Sequence, residues 1–202
     1  MAKTRIGIVA FERFTDIDVF LAWDLFNRVR RDDWEVKILG TAPTHTSVAN
    51  LPIPIGAQVE WASDADMVFF ASGPGTRPLC RDAEYLRRFS LDPARQLIGS
   101  MCSGALILAA LGLLRGKTAT TYTTTRAELQ SMGVEVVERD LVVHGNVGTA
   151  AGCLAALDLV GWMLERHEGV ALRDFVLDAV KPVTRGLRCS YGAPLPSLAA
   201  TD

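Results

Sequence analysis

QLIGSMCSGALILAALGLL, residues 96–114, is the stretch from which the rest of the chain can be read. QLIGSM reads as a buried strand, and residues 103–114 read as an apolar helix that stops at Arg115-Gly116. Cys102 stands between the two. A thiol in that position has two readings. It is a small buried hydrophobe, because free cysteines are among the most buried residue types. Or it is a nucleophile held on a strand-to-helix turn, where strain points the side chain into a cleft and the helix N-terminus favours thiolate.

Outward from this stretch the periodicity alternates. RIGIVAF (5–11), WEVKILG (34–40) and DMVFFAS (66–72) read as strands, the last almost continuously apolar. Such runs belong to a parallel sheet covered on both faces. Residues 17–30 place Val19, Ala22, Trp23, Phe26 and Val29 at helical spacing. Further helices are expected over RDAEYLRRFS, 125–132, 151–166 and 169–180, with VEVVE and LVVHG as a hairpin or two short strands. The expected fold is an α/β sandwich with a mostly parallel central sheet flanked by helices, occupying residues 1–185. The tail 186–202, rich in Pro, Ser, Ala and Gly, reads as loop or disorder.

Composition narrows the function. With 202 residues, 49% hydrophobic and 22% charged, the chain fills one core. A net charge of -2 argues against a nucleic-acid surface. The sequence has no apolar run long enough to span a membrane, and MAKTRIGIVAF lacks the apolar region of a signal peptide, so no membrane association and a cytoplasmic location are expected. There four free thiols are expected. Cys80, Cys102, Cys153 and Cys189 lie far apart and far from His45, His144 and His167, so neither a zinc site nor any other metal is expected.

Ligands of open α/β sheets bind beyond the carboxyl ends of the strands. Three stretches offer chemistry there. Cys102, with Ser103 and Gly104, follows the strand at 96–101. Ser72-Gly73-Pro74-Gly75 follows DMVFFAS, and its backbone amides suit a developing oxyanion, although a plain turn reads the same way. FTDIDVF (14–20) brings Asp16 and Asp18 to the head of the first helix, where Asp16 suits the N-cap. His144 reads as a turn or edge-strand residue, and His167 as a complement to a helix C-terminus. The small residues 148–152 read either as a close-packed entry to a helix or as a lining of the cleft opposite Cys102, and Cys153 as core.

Together, FTDIDVF, DMVFFASGPGT, SMCSGALILAALGLLRGKTATTY and HGNVGTAAGCLAALDLV resemble, in order and spacing, the DJ-1/PfpI (ThiJ) superfamily, and within it the isocyanide hydratase type. The resemblance runs from residue 5 to about 180. It implies a flavodoxin-like fold, a homodimer, no cofactor and a small-molecule substrate. It implies Cys102 as nucleophile and Asp18 as the facing acid/base. Gly73, Ser103 and Ser72 would hold substrate or developing charge, and Thr149 and Ala150 would line the cleft. Ser103 matches the Thr or Ser that follows the nucleophile in hydratases, where amidase-like members carry His. The sequence departs from the hydratase type with Ser72-Gly73 in place of Gly-Gly, Ala71 in place of Pro, and Tyr122 where a His can stand. The implied reaction is cysteine-dependent hydration of isocyanides to N-substituted formamides. The alternatives are a small-molecule-binding protein, or a redox- or stress-responsive one with glyoxalase- or deglycase-like activity.

Overall fold

The computed structural model describes residues 3–181, so the expected tail 186–202 lies outside the described residues. In chain order the elements are β1 (Thr4–Val9), α1 (Asp16–Asn27), β2 (Trp34–Gly40), β3 (Thr44–Thr46), β4 (Pro52–Pro54), β5 (Ala57–Gln58) and β6 (Met67–Phe70). There follow α2 (Thr76–Leu79), α3 (Ala83–Arg87), β7 (Leu97–Met101), α4 (Ala105–Ala110), β8 (Thr118–Ala119), α5 (Arg126–Ser131) and β9 (Glu135–Val136). The described residues close with β10 (Leu141–His144), β11 (Val147–Ala150), α6 (Ala156–Glu168) and α7 (Val170–Asp178).

Seven strands form one sheet in the order β10-β11-β7-β6-β1-β2-β5. Every pairing in it is parallel except β10 with β11. This is the mostly parallel α/β sheet expected. Its central strands β6 and β7 are buried at every position, as strands covered on both faces must be. Alternation along β7 shows the two layers. A Cβ on Gly99 would meet Leu159 of α6, while the Ser100 Cβ lies against Gly104, at the head of α4. The chain runs from β1 to β2 on one side and returns to β6 on the other. That reversal opens a crevice at the carboxyl ends of the middle strands.

Several local expectations need correcting. The helix over 103–114 is shorter: a 3-10 turn at Cys102–Gly104 leads into α4, which stops at Ala110, and the chain continues as turns around Gly112. VEVVE and LVVHG do not form a hairpin with each other. β9 pairs with β8 in a separate two-stranded sheet, while β10 turns through Gly145-Asn146 to pair with β11. A two-residue Gly-Asn turn matches strand twist, and this one marks the real hairpin. Residues 147–150 are therefore strand rather than helix entry, and the helix begins only at Ala156. The β3–β4 hairpin, with Pro52 and Pro54, carries no strand-like run that would mark it in the sequence. Thr15, not Asp16, occupies the N-cap of α1. Trp23 is about one-third exposed, at a surface groove beside Phe20, Ile38 and Ile53, rather than on the buried face with Phe26.

Candidate active site

Four neighbouring parallel strands, β1, β6, β7 and β11, deliver their carboxyl ends to one place. β1 leads to Thr15 and Asp18, β6 to Ser72 and Gly73, β7 to Cys102, and β11 to Gly152 and Cys153. Between them lies a cavity of about 330 Å³ lined in part by Thr15, Gly73, Cys102, Ser103, Tyr122 and Cys153.

Cys102 has φ +45°, a left-handed backbone that L-residues with a side chain rarely adopt. Such a conformation costs on the order of 1–3 kcal/mol and persists only where the surroundings enforce it. Three contacts do so. The Thr121 hydroxyl donates to the Cys102 carbonyl at 2.7 Å. Gly104 sits so close to the end of β6 that a Cβ there would lie 2.8 Å from the carbonyl oxygens of both Phe70 and Ala71. Behind the turn, the fully buried β7 is locked between β6 and β11. The thiol is 5% exposed, at the cavity wall.

Asp18 is fully buried in the first turn of α1, and neither carboxyl oxygen has a hydrogen-bond partner. Burial raises its pKa. Ser72 and Cys153 stand near enough to pull it down, but neither makes a well-formed hydrogen bond to it, and burial wins. Asp18, Cys102 and Cys153 present a carboxyl oxygen and two sulfurs all within 4.8 Å of one another.

This crowding corrects the expectation of a helix-activated thiolate. The Cys102 thiol is pushed up to about 12, first by burial, then by the Asp18 charge and by Cys153, with the Gly152 amide pulling the other way. Cys153 is pushed up to about 11, again by burial first and Asp18 second. α4 is only six residues long, so its dipole is too weak to reverse that. At rest both sulfurs are thiols.

The loop after β6 is shaped by a close approach. Gly73 has φ +148°, and a Cβ there would lie 2.3 Å from the Arg13 carbonyl oxygen. The Gly73 amide is not a free oxyanion donor as expected: it donates to the Ser103 hydroxyl at 3.1 Å, and that hydroxyl donates back to the Gly73 carbonyl at 3.2 Å. Ser103 therefore clamps the two loops together with its side chain. Its own amide lies in the first turn after β7, where amides lack intrahelical partners. Ser72 donates to the Thr15 hydroxyl at 3.2 Å, next to Asp18.

Thr149 and Ala150 do not border the cavity with Cys102. They lie in β11, paired with Ser100 and Met101, and the Thr149 hydroxyl accepts from the Thr120 amide at 2.9 Å. The lining expected of them falls to Cys153 instead. His144 ends β10 with its ring 2.8 Å from the Thr118 hydroxyl, and His167 sits in the last turn of α6, 3.3 Å from the Thr4 hydroxyl. None of the three histidines lines the cavity.

Cys153, expected in the core, lies instead at the cavity wall beside Cys102. A signal was present: read as a strand, 147–150 delivers Cys153 by the same rule that delivers Cys102. The two cysteines are built alike. Each begins a three-residue 3-10 turn, Cys102–Gly104 or Cys153–Ala155, that leads from a buried strand into a helix.

The fold is an open α/β sheet with a cysteine on its strand-to-helix elbow and a buried carboxyl within 4.8 Å of it. The chain belongs to the DJ-1/PfpI family, which it matches over residues 4–166. It is 27% identical to the isonitrile hydratase of Pseudomonas putida over 169 residues, 82% of this chain and 73% of that protein. A deglycase of Pyrococcus horikoshii is 35% identical over 68 residues, 34% of this chain and 39% of that protein. Among solved structures, a ThiJ/PfpI family protein from Pseudomonas syringae superposes with TM-score 0.79 at 26% identity, covering all of this chain and 80% of its own. Schizosaccharomyces pombe DJ-1 gives TM-score 0.76 at 16% identity, over 89% of this chain and all of its own, a likeness of fold alone.

Proposed function

We propose that this protein hydrates isocyanides to N-substituted formamides, with Cys102 as nucleophile and Asp18 as acid/base. The observation that carries the reading is the unpartnered, fully buried Asp18 carboxyl within 4.8 Å of the elbow thiol. An isocyanide carbon must gain both a nucleophile and a proton, and a neutral thiol beside a carboxylate holds both. Asp18 takes the thiol proton as sulfur attacks the terminal carbon, then returns it to that carbon, giving a neutral thioimidate. A carboxyl with a raised pKa suits the work, because its acid and base forms lie closer in energy near neutrality. Water, deprotonated by the same carboxylate, then adds to the thioimidate carbon. The carboxyl returns that proton to nitrogen; the carbon-bound hydroxyl then gives its proton through Asp18 to sulfur as the C–S bond breaks, releasing the formamide and restoring the thiol.

Each intermediate bound to sulfur is neutral, which suits a thiol that burial keeps protonated. The Ser103 amide and Ser72 are assigned to holding water and substrate around the reacting carbon. Gly73 is assigned to setting the loop against Ser103. The hydratase relative supports the substrate class, while a glyoxalase- or deglycase-like use of the same thiol rests on the shorter match to the deglycases. The proposed setting is a cytoplasmic homodimer. No helix among the described residues is long and apolar enough to cross a membrane. Light scattering tests the dimer.

The deciding experiment measures formamide production from an aryl isocyanide by wild type and Cys102→Ala. Turnover in the wild type that disappears in the variant is expected. Turnover that survives in the variant, or none in the wild type, rejects the assignment.

A further inference from the structure

Hydration uses Cys102 and Asp18 and leaves Cys153 without a part. Yet the half-buried Cys153 stands within 4.8 Å of both, at the head of the 3-10 turn that leads into α6. We propose that Cys153, Cys102 and Asp18 together form a binding site for a zinc-like divalent cation, two thiolates and one carboxylate closing three corners of a tetrahedron.

The donor atoms fit. Zinc bonds sulfur at about 2.3 Å and carboxylate oxygen at about 2.0–2.2 Å, so two donors on one tetrahedral ion stand about 3.7 Å apart. The three donors here lie within 4.8 Å of one another, so each pair has at most about 1 Å to close. A second, independent observation points the same way. Asp18 is fully buried and both of its oxygens lack partners, although buried carboxyls are ordinarily satisfied. An ion between the sulfurs would supply the missing partner.

Chemistry selects the ion. Two thiolates favour zinc, cadmium or cobalt over magnesium or calcium, which take oxygen ligands. Binding is balanced by protons: the hydrated cation displaces one proton from each thiol and takes the carboxylate as it stands, leaving a complex of net charge -1. Cys102 and Cys153 both line the cavity, from which water or a small thiol can complete the shell. The arrangement was hidden in the sequence because the two cysteines are 51 positions apart, with no histidine near either.

The inference goes beyond hydration and does not depend on it, since ion binding and turnover are separate readouts. The test is titration of the reduced, chelator-treated protein with Co²⁺, followed by the sulfur-to-cobalt charge-transfer absorption in the near ultraviolet. One equivalent with a band for two thiolates is expected. Cys153→Ser should remove about half of that band and weaken binding more than about a hundredfold, beyond what loss of a merely supporting residue costs. Cys153→Ala gives a second check: Cd²⁺ should raise the Tm of wild type and leave the variant's unchanged. Cys80 lies apart, its thiol donating to the Arg77 carbonyl, so Cys80→Ser should leave the band intact. Absence of a charge-transfer band, or a full band in Cys153→Ser, overturns the proposal whatever the protein does to isocyanides.

Discussion

Replacing Asp18 with Asn should make the protein more stable at pH 8 and no more stable at pH 4. Asp18 is fully buried, its oxygens have no partners, and no cationic side chain is among the groups that shift its pKa. Its folded pKa is raised, so the sign runs against the usual carboxylate. The stabilisation belongs to the protonated form. It is fully present below the unfolded pKa of about 3.9 and is lost as pH rises through the folded value. Above that value the native state carries an unpaired buried charge, which costs about 3–5 kcal/mol. The amide of Asn removes the charge but leaves its own polar atoms buried, at about 1–3 kcal/mol. The difference favours the variant by about 2 kcal/mol at pH 8. In a chain of this size about 2–4 °C accompanies each kcal/mol, so Tm should rise by about 4–8 °C.

The measurement is the Tm difference between Asp18→Asn and wild type from pH 4 to pH 8, with chelator present. Carboxylates held low by ion pairs, such as Glu60 beside Arg88 and Glu168 beside Arg31, titrate in both proteins and cancel in the difference. The gain should shrink steadily toward pH 4. Formamide production should fall by at least about a hundredfold in the same variant, the lower end of what a general acid/base contributes. A difference that is flat with pH, or a variant less stable at pH 8, would refute the claim that the native state carries an uncompensated carboxylate.

Two further predictions follow from the same geometry. Iodoacetamide should alkylate wild-type Cys102 slowly at pH 8, because the thiol titrates near 12. In Asp18→Asn the alkylation-rate profile should move to lower pH without reaching that of an ordinary thiol, since burial is the larger cause, and each unit of movement gives about ten times more thiolate at fixed pH. Gly104→Ala should destabilise by about 1–3 kcal/mol in urea unfolding, because its Cβ would press on the carbonyls that end β6. An unchanged urea midpoint in Gly104→Ala would mean that β6 and the elbow are not packed as described.

The sequence made the sheet legible where strands are buried on both faces, because MVFF and LIGSM have no other way to hide so much apolar surface. It made Cys102 and Asp18 legible because each follows a strand that such a run identifies. It failed at β11. VGTA is short and built of small residues, and its Gly148 is glycine for a reason visible only in three dimensions: a Cβ there would lie 2.8 Å from the Trp162 ring of α6. A strand that must admit a helix so closely cannot advertise itself with large apolar residues. The site inherited the error, and Thr149 and Ala150 stood in for Cys153.

Electrostatics were less legible still, and for a related reason. A helix N-terminus after a cysteine argues for a thiolate only while the helix is the nearest source of potential. Here a carboxyl from a helix more than eighty residues earlier and a sulfur some fifty residues later come within 4.8 Å of the thiol, while the helix that follows it is only six residues long. Both raise the Cys102 pKa, and burial adds to them. That sets the kind of chemistry the site can begin with. A site of this kind has no standing thiolate to spend on an arbitrary electrophile. On the proposed reading, sulfur must lose its proton as it bonds to carbon, which suits substrates that need nucleophile and proton at one atom. The terminal carbon of an isocyanide has that need. A carbonyl carbon takes the nucleophile but leaves the proton to its oxygen, and a donor there would have to come from elsewhere in the cavity.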